Sequence, residues 1–193
     1  IIIQFTQQHN FEQFAVLGFS MGGKCALHLA QTMPQKITAL WLLASDGIKT
    51  NKIYNVAVYP SWGRSLFKTT IQHPAWLFAV VNIANKLRLL SPWLKKFTYN
   101  HMETKEKRER LYHTWISMAA FNPDINLVKK QINQHQIPVL LFFGKRDEVI
   151  PVAVGEFFAE GLSSCLLTRL ERGHYFIDEK INPSLTAALQ WLK

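Results

Sequence analysis

Cysteine is scarce in this chain: Cys25 and Cys165 are the two among 193 residues, and neither belongs to a C-x-x-C pair or a Cys/His cluster. That excludes a disulfide-stapled scaffold and a structural zinc site. Both are read as buried, reduced thiols, which points to a reducing compartment and a cytoplasmic location. Long apolar runs are absent as well, and no stretch approaches the roughly 18 residues that span a bilayer. There is no internal repeat and no low-complexity segment. An initiator methionine is also missing. The first residue is Ile1, so the expectation is a processed or truncated chain, with an upstream targeting segment left open. What is present is ordinary for one domain with a substantial core: 48% hydrophobic, 18% charged and 12% aromatic residues.

Short apolar runs carry the organisation. Ile1–Asn10 reads as the end of a helix. Phe14–Phe19 (FAVLGF) has the pattern of a strand buried on both faces of a parallel sheet. From Met21 to Met33, apolar residues recur every four positions at Cys25, Leu29 and Met33, and Pro34 ends the helix. Ile37–Ala44 (ITALWLLA) is a second buried strand, so strand, helix and strand make a parallel α/β unit. Ile137–Phe143 (IPVLLFF) is a third, followed by a loop, a helix over Val152–Leu162 and a strand near Cys165–Leu170. Asn182 is placed as the cap of a final helix with Pro183 at its first position. Leu185, Ala188, Leu189 and Leu192 then form its apolar face.

Residues 50–121 differ. They show helical periodicity without sheet-like runs, broken by Pro60, Pro74 and Pro92. They hold 11 Lys and Arg against 3 Glu and no Asp, which is +8 of the chain's +9, and 12 of its 24 aromatic residues. A basic, aromatic, helical insertion within an α/β domain reads as a lid. The expected organisation is 1–49 and 122–193 as the two parts of one core, with 50–121 as the insertion.

Gly18-Phe19-Ser20-Met21-Gly22 matches G-x-S-x-G between a strand and a helix. A serine on so sharp a turn stands clear of the backbone, and the residues two before and two after it come so close that small side chains are required. The helix that begins next aims its dipole at the serine, and the Met21 backbone N–H is placed to donate to an oxyanion. Serine needs a base to take its proton. His174, in Arg172-Gly173-His174-Tyr175-Phe176, follows the last strand. The other histidines lie on helices, in the insertion or before a strand. Asp147, in Gly144-Lys145-Arg146-Asp147-Glu148-Val149-Ile150-Pro151, follows the strand 137–143, at an end from which a side chain reaches a crevice over the sheet. Glu148 next to it and Asp46 after the second strand stay open as alternative acids.

Together, the elbow GFSMGG, the segment GKRDEVIP and the segment GHYF resemble the α/β-hydrolase superfamily, in particular its lid-bearing esterase and haloperoxidase-like branch. The resemblance covers residues 1–46 and 122–193. It implies an α/β-hydrolase fold, with a mostly parallel sheet, flanking helices and a helical lid. It also implies the chain order nucleophile, acid, histidine: Ser20, Asp147 and His174 as a catalytic triad, with Met21 N–H in the oxyanion hole. The implied reaction is cleavage of a carboxylic ester through an acyl-serine, with no metal and no organic cofactor. Members of the superfamily carry strands ahead of the elbow and a loop, often His-Gly, that supplies a second oxyanion donor. This chain starts one helix before the elbow. The expectation is a core without those N-terminal strands and an open sheet edge at 14–19. Either the missing segment or a second copy would cover that edge, and catalysis would lose about 10²–10³ in rate for the absent donor.

The partner expected is a small-molecule acyl substrate. No substrate-binding residue is assigned: Trp62, Phe67, Trp76, Phe78, Trp93 and Phe97 either line an apolar pocket or pack the insertion. The basic amphipathic stretch 86–97 leaves contact with an anionic membrane open but disfavoured. Nucleic acid is not expected, because the charge comes without a nucleic-acid motif. The rival classes are a triad enzyme acting on amides, thioesters or carbon–carbon bonds, and a non-catalytic binding protein that kept the fold.

Overall fold

A computed structural model describes residues 2–49, 52–90 and 92–192; the side chains of Ile3, Pro92 and Trp93 lie outside the described residues, and with them any part for Trp93 in a pocket. The chain divides into two compact units, Ile1–Lys49 with Phe121–Lys193, and Thr50–Ala120.

The first unit is a parallel sheet between helices. Helix α1 (Ile2–Gln8) leads into β1 (Phe14–Phe19), α2 (Gly22–Thr32) and β2 (Ile37–Leu43). The second unit then contributes α3 (Lys52–Val58), α4 (Ser61–Gln72), α5 (Ala75–Lys86), α6 (Pro92–Met102) and α7 (Lys105–Ser117). The chain returns through α8 (Ile125–Gln134), β3 (Val139–Gly144), α9 (Val152–Ala159), β4 (Cys165–Leu170) and α10 (Asn182–Trp191). The strands lie in the order β1-β2-β3-β4, each parallel to its neighbour.

Period-two alternation sorts the strand side chains into two layers. Leu40, Leu42, Val139, Leu141 and Phe143 point to one face, where Ala26, Leu27 and Ala30 of α2, Val128 and Ile132 of α8 and Phe158 of α9 cover them. Ala39, Trp41, Leu43, Leu140 and Phe142 point to the other, against Phe176, Ile181 and Ala188. Covered on both faces and paired on both sides, β3 has all six residues buried, and each large side chain there contributes about 1.5–3 kcal/mol. The continuous apolar run of 137–143 is the sequence trace of that position.

Two expectations change, and one helix is added. Strand β1 is not buried on both faces: among the described residues it pairs with β2 alone, the open edge expected at 14–19, and Leu17 is 58% exposed beside Ala15, Trp41, Leu189 and Leu192. An apolar run therefore marks a sheet strand here without marking a central one. Asn182 is not a cap. A 3₁₀ turn over Glu179–Ile181 already sets the chain in helical conformation, so Asn182 lies inside α10, Ile181 takes its cap position without a side-chain hydrogen bond, and Asp178 caps the turn itself by accepting from Lys180 N–H at 3.0 Å. Helix α8 was not expected from its periodicity. Asp124 caps it by accepting from the N–H groups of Asn126 and Leu127, and Val128 and Ile132 hold it to the core.

The second unit has its own small core of Phe67, Ile71, Met102 and Leu111, with Phe97, Tyr112 and Trp115 packed around it. Two of its cations are structural. Arg64 donates to the Val58 carbonyl at the end of α3, and Arg108 donates to Ile71 and Met102 carbonyls at the ends of α4 and α6. Both satisfy helix-terminal acceptors that have no partner within the helix. Among the described residues, no helix is long and apolar enough to cross a membrane.

Candidate active site

Ser20 stands at the turn between β1 and α2 with φ of 50°, a left-handed conformation that costs a non-glycine residue about 1–3 kcal/mol. The surrounding backbone holds it there. Ser20 N–H donates to the Leu43 carbonyl at 3.0 Å, and its own carbonyl accepts from Gly23 and Asp46 N–H at 2.9 Å each. Thus the end of β2 and the first turn of α2 grip the serine from two sides.

The need for small residues falls differently from the motif. A Cβ on Gly18 would lie 2.7 Å from the Gly22 carbonyl oxygen and 2.8 Å from Gly23 Cα. One on Gly23 would lie 1.9 Å from Ser45 Oγ, whereas one on Gly22 would meet nothing within 4 Å. Ser45 lies just past the end of β2, so this constraint arises between the first turn of α2 and the segment after β2 and was not legible in the spacing around Ser20. Met21 follows the serine at the N-terminus of α2, and no main-chain carbonyl among the described residues accepts from its N–H.

Residues 154 and 27 positions apart meet at this turn. Ser20 Oγ lies 3.0 Å from His174 Nε2, and His174 Nδ1 lies 2.8 Å from Asp147 Oδ2. The histidine side chain is 8% exposed and that of Asp147 has no exposure. Asp147 is fixed from behind, because Oδ1 accepts from the N–H groups of Val149 and Ile150, both at 2.8 Å. A carboxylate in contact with Nδ1 holds the Nδ1–H tautomer, which leaves the Nε2 lone pair for the serine hydroxyl. Phe19 flanks the imidazole with ring centroids 5.4 Å apart.

The loops bearing Asp147 and His174 are locked to each other. Arg146 N–H donates to the Arg172 carbonyl at 2.9 Å, and a Cβ on Gly144 would lie 2.5 Å from that same oxygen. The parallel register of β3 with β4, which pairs Gly144 with Leu170, brings these two strand ends level.

The alternative acids occupy other positions. Asp46 Oδ1 accepts from Gly47 N–H at 2.7 Å, and its charge opposes the burial that lowers the pKa of Lys24, a residue only 5% exposed. Glu148 is exposed. Among the other histidines, His9 packs tilted against Phe5 and stacks on Phe11, and His28 meets Phe121 edge-on. No group of three or more His, Cys, Asp and Glu residues gathers to hold a metal among the described residues.

A family model described as alpha/beta hydrolase fold matches residues 1–181. No curated protein matches. Many solved structures are similar in fold. A hydrolase from Pseudomonas aeruginosa is 18% identical with a TM-score of 0.61, over 99% of this chain and 69% of that one. A meta-cleavage product hydrolase from Pseudomonas fluorescens is 16% identical at TM-score 0.58, over 98% and 68%. The enol-lactonase from Burkholderia xenovorans is 14% identical at TM-score 0.58, over 99% and 70%. The chain spans about two thirds of the length of each.

Proposed function

This chain belongs to the α/β-hydrolase fold family, and from that premise we propose that it is a serine hydrolase that cleaves a carboxylic ester through an acyl-serine intermediate. The observation that carries the reading is the unbroken line of contacts from Ser20 Oγ to His174 to Asp147, at 3.0 and 2.8 Å.

The chemistry follows from those contacts. As Ser20 Oγ bonds to the ester carbonyl carbon, its proton passes to His174 Nε2, and the carbonyl oxygen takes the negative charge. Met21 N–H donates to that oxygen, where the N-terminus of α2 adds a favourable field. Asp147 keeps the imidazole oriented and stabilises its protonated form. When the tetrahedral centre collapses, the carbon–oxygen bond to the alcohol breaks and Nε2–H protonates the leaving oxygen. Water then repeats the sequence on the acyl-serine: its proton goes to Nε2, the acid is released, and Ser20 recovers its proton.

Substrate choice is tested with a chromogenic panel of esters, thioesters, amides and a lactone, with a carbon–carbon bond substrate added for the rival reading, and a meta-cleavage product added because a protein of similar fold is named as a hydrolase of one. Ester turnover abolished by Ser20→Ala is the expected result. Turnover of another class in preference to esters moves the substrate assignment. Turnover that survives Ser20→Ala rejects the mechanism.

A further inference from the structure

The helical unit contains a feature that the proposed reaction does not use. Its helices border an open cavity of about 560 Å³, formed wholly from residues between Lys52 and Trp115. An apolar cavity of about 150 Å³ holds a six-carbon ring, so this volume takes at most about 20 carbon atoms. Five lining residues, Ile53, Val56, Leu66, Trp76 and Val80, remain 44–54% exposed. They form an open apolar trough rather than a sealed core, and such surface is unusual unless something covers it.

The polar groups of the lining narrow what that something is. Thr70 and Thr98 border the cavity, but their hydroxyls donate to carbonyls of their own helices, Leu66 at 2.8 Å and Leu94 at 2.9 Å. Lys52 is the one charged residue among those lining the cavity, and it is exposed. The unit around it carries 11 Lys and Arg against 3 Glu and no Asp. The cavity thus offers a long apolar volume, little polar specificity and one cation in a positive field.

We propose that this cavity binds a single-chain aliphatic carboxylate, a fatty acid, with its chain in the trough and its carboxylate in water beside Lys52. The proposal does not rest on the acyl-serine reaction, and it holds equally for the Ser20→Ala chain. The ammonium keeps the head hydrated at the mouth, since an ion taken into the apolar lining would cost far more than the pair returns. Most of the affinity therefore comes from the chain and a smaller part from the head.

Calorimetric titration of the full chain with dodecanoate and with dodecanol, in the Ser20→Ala background, tests this directly. Saturable binding of dodecanoate is expected, about threefold or more tighter than dodecanol at low salt, with the preference shrinking as salt rises. Lys52→Gln removes that preference while dodecanol still binds. Val80→Asp, which puts a carboxylate on the lining, weakens dodecanoate at least tenfold. Ile83→Asp, on the same helix but outside the lining and 61% exposed, does not. Circular dichroism establishes that each variant keeps its helices; should Val80→Asp unfold, the Lys52→Gln comparison decides alone. No saturable binding, equal affinity for acid and alcohol, a preference that survives Lys52→Gln, or equal losses at positions 80 and 83 would each overturn the proposal.

Discussion

Replacing Asp147 by asparagine separates the electrostatics of the site from its shape. The two side chains are isosteric, yet the hydrogen bonds around Asp147 leave an amide only one favourable orientation. Oδ1 accepts from Val149 and Ile150 N–H. An NH₂ turned toward those donors would leave both without an acceptor around a fully buried side chain, at about 1–3 kcal/mol for each. The amide oxygen therefore stays, and the NH₂ faces His174 Nδ1, where the carboxylate accepted across 2.8 Å. A donor at that position requires an unprotonated Nδ1, which moves the imidazole proton to Nε2. Nε2 lies 3.0 Å from Ser20 Oγ and, already protonated, cannot take the serine proton. The expected loss in the rate of serine acylation is about 10⁴-fold, a barrier higher by about 5.4 kcal/mol. The assay is the pre-steady-state release of nitrophenol from an activated ester, read beside a urea unfolding curve that shifts by about 1 kcal/mol or less because the two backbone donors keep their acceptor. A rate within tenfold of the unsubstituted chain would refute the reasoning and return the acid role to Asp46 or Glu148.

Further outcomes follow from the same geometry. Gly18→Ala forces a Cβ against fixed backbone at 2.7 and 2.8 Å, so urea unfolding should show a loss of about 1–3 kcal/mol. Gly22→Ala, with open space around the new Cβ, should keep the acylation rate and lose no stability, a contrast the bare motif does not predict. Burial pushes the Cys165 thiol from the ordinary value near 9 up to about 11, against the opposing charge of Lys129. At pH 8, iodoacetamide should therefore modify Cys165 at least about tenfold more slowly in the folded chain than in urea. The folded state keeps a proton that the unfolded chain releases, so stability should fall as pH rises from about 9 through about 11, and Cys165→Ser should remove that part of the fall.

The parts of this molecule that were legible in its sequence are those written in short-range pattern. FAVLGF, ITALWLL and VLLFFG announce strands because strands within an α/β sheet read as apolar runs. The turn at Ser20 is announced by glycines on either side of it. What local pattern does not carry is the partner across a gap. The run at 14–19 looks as buried as that at 137–143, yet Leu17 is 58% exposed and Leu141 fully buried, because burial depends on what pairs at each side. Gly23, not Gly22, faces Ser45, a neighbour 22 positions away. Asn182 has the composition of a cap, but the preceding 3₁₀ turn, itself capped by Asp178, puts Ile181 at the cap position of α10. The apolar residues of the insertion split their duties in the same manner. Phe67 and Phe97 both pack the core of the unit and line the cavity, Trp76 lines the cavity, Phe78 packs beside the core, and Trp62 is 62% exposed; helical periodicity alone does not separate these.

The most direct test is covalent. A fluorophosphonate reacts only with a serine whose hydroxyl is deprotonated as it attacks, so its adduct reports the proton transfer from residue 20 to residue 174. Peptide mass spectrometry of the labelled chain should find the adduct on Ser20 alone and find it lost in His174→Gln. An unlabelled chain, or label on Ser20 that persists without the imidazole, would contradict the account.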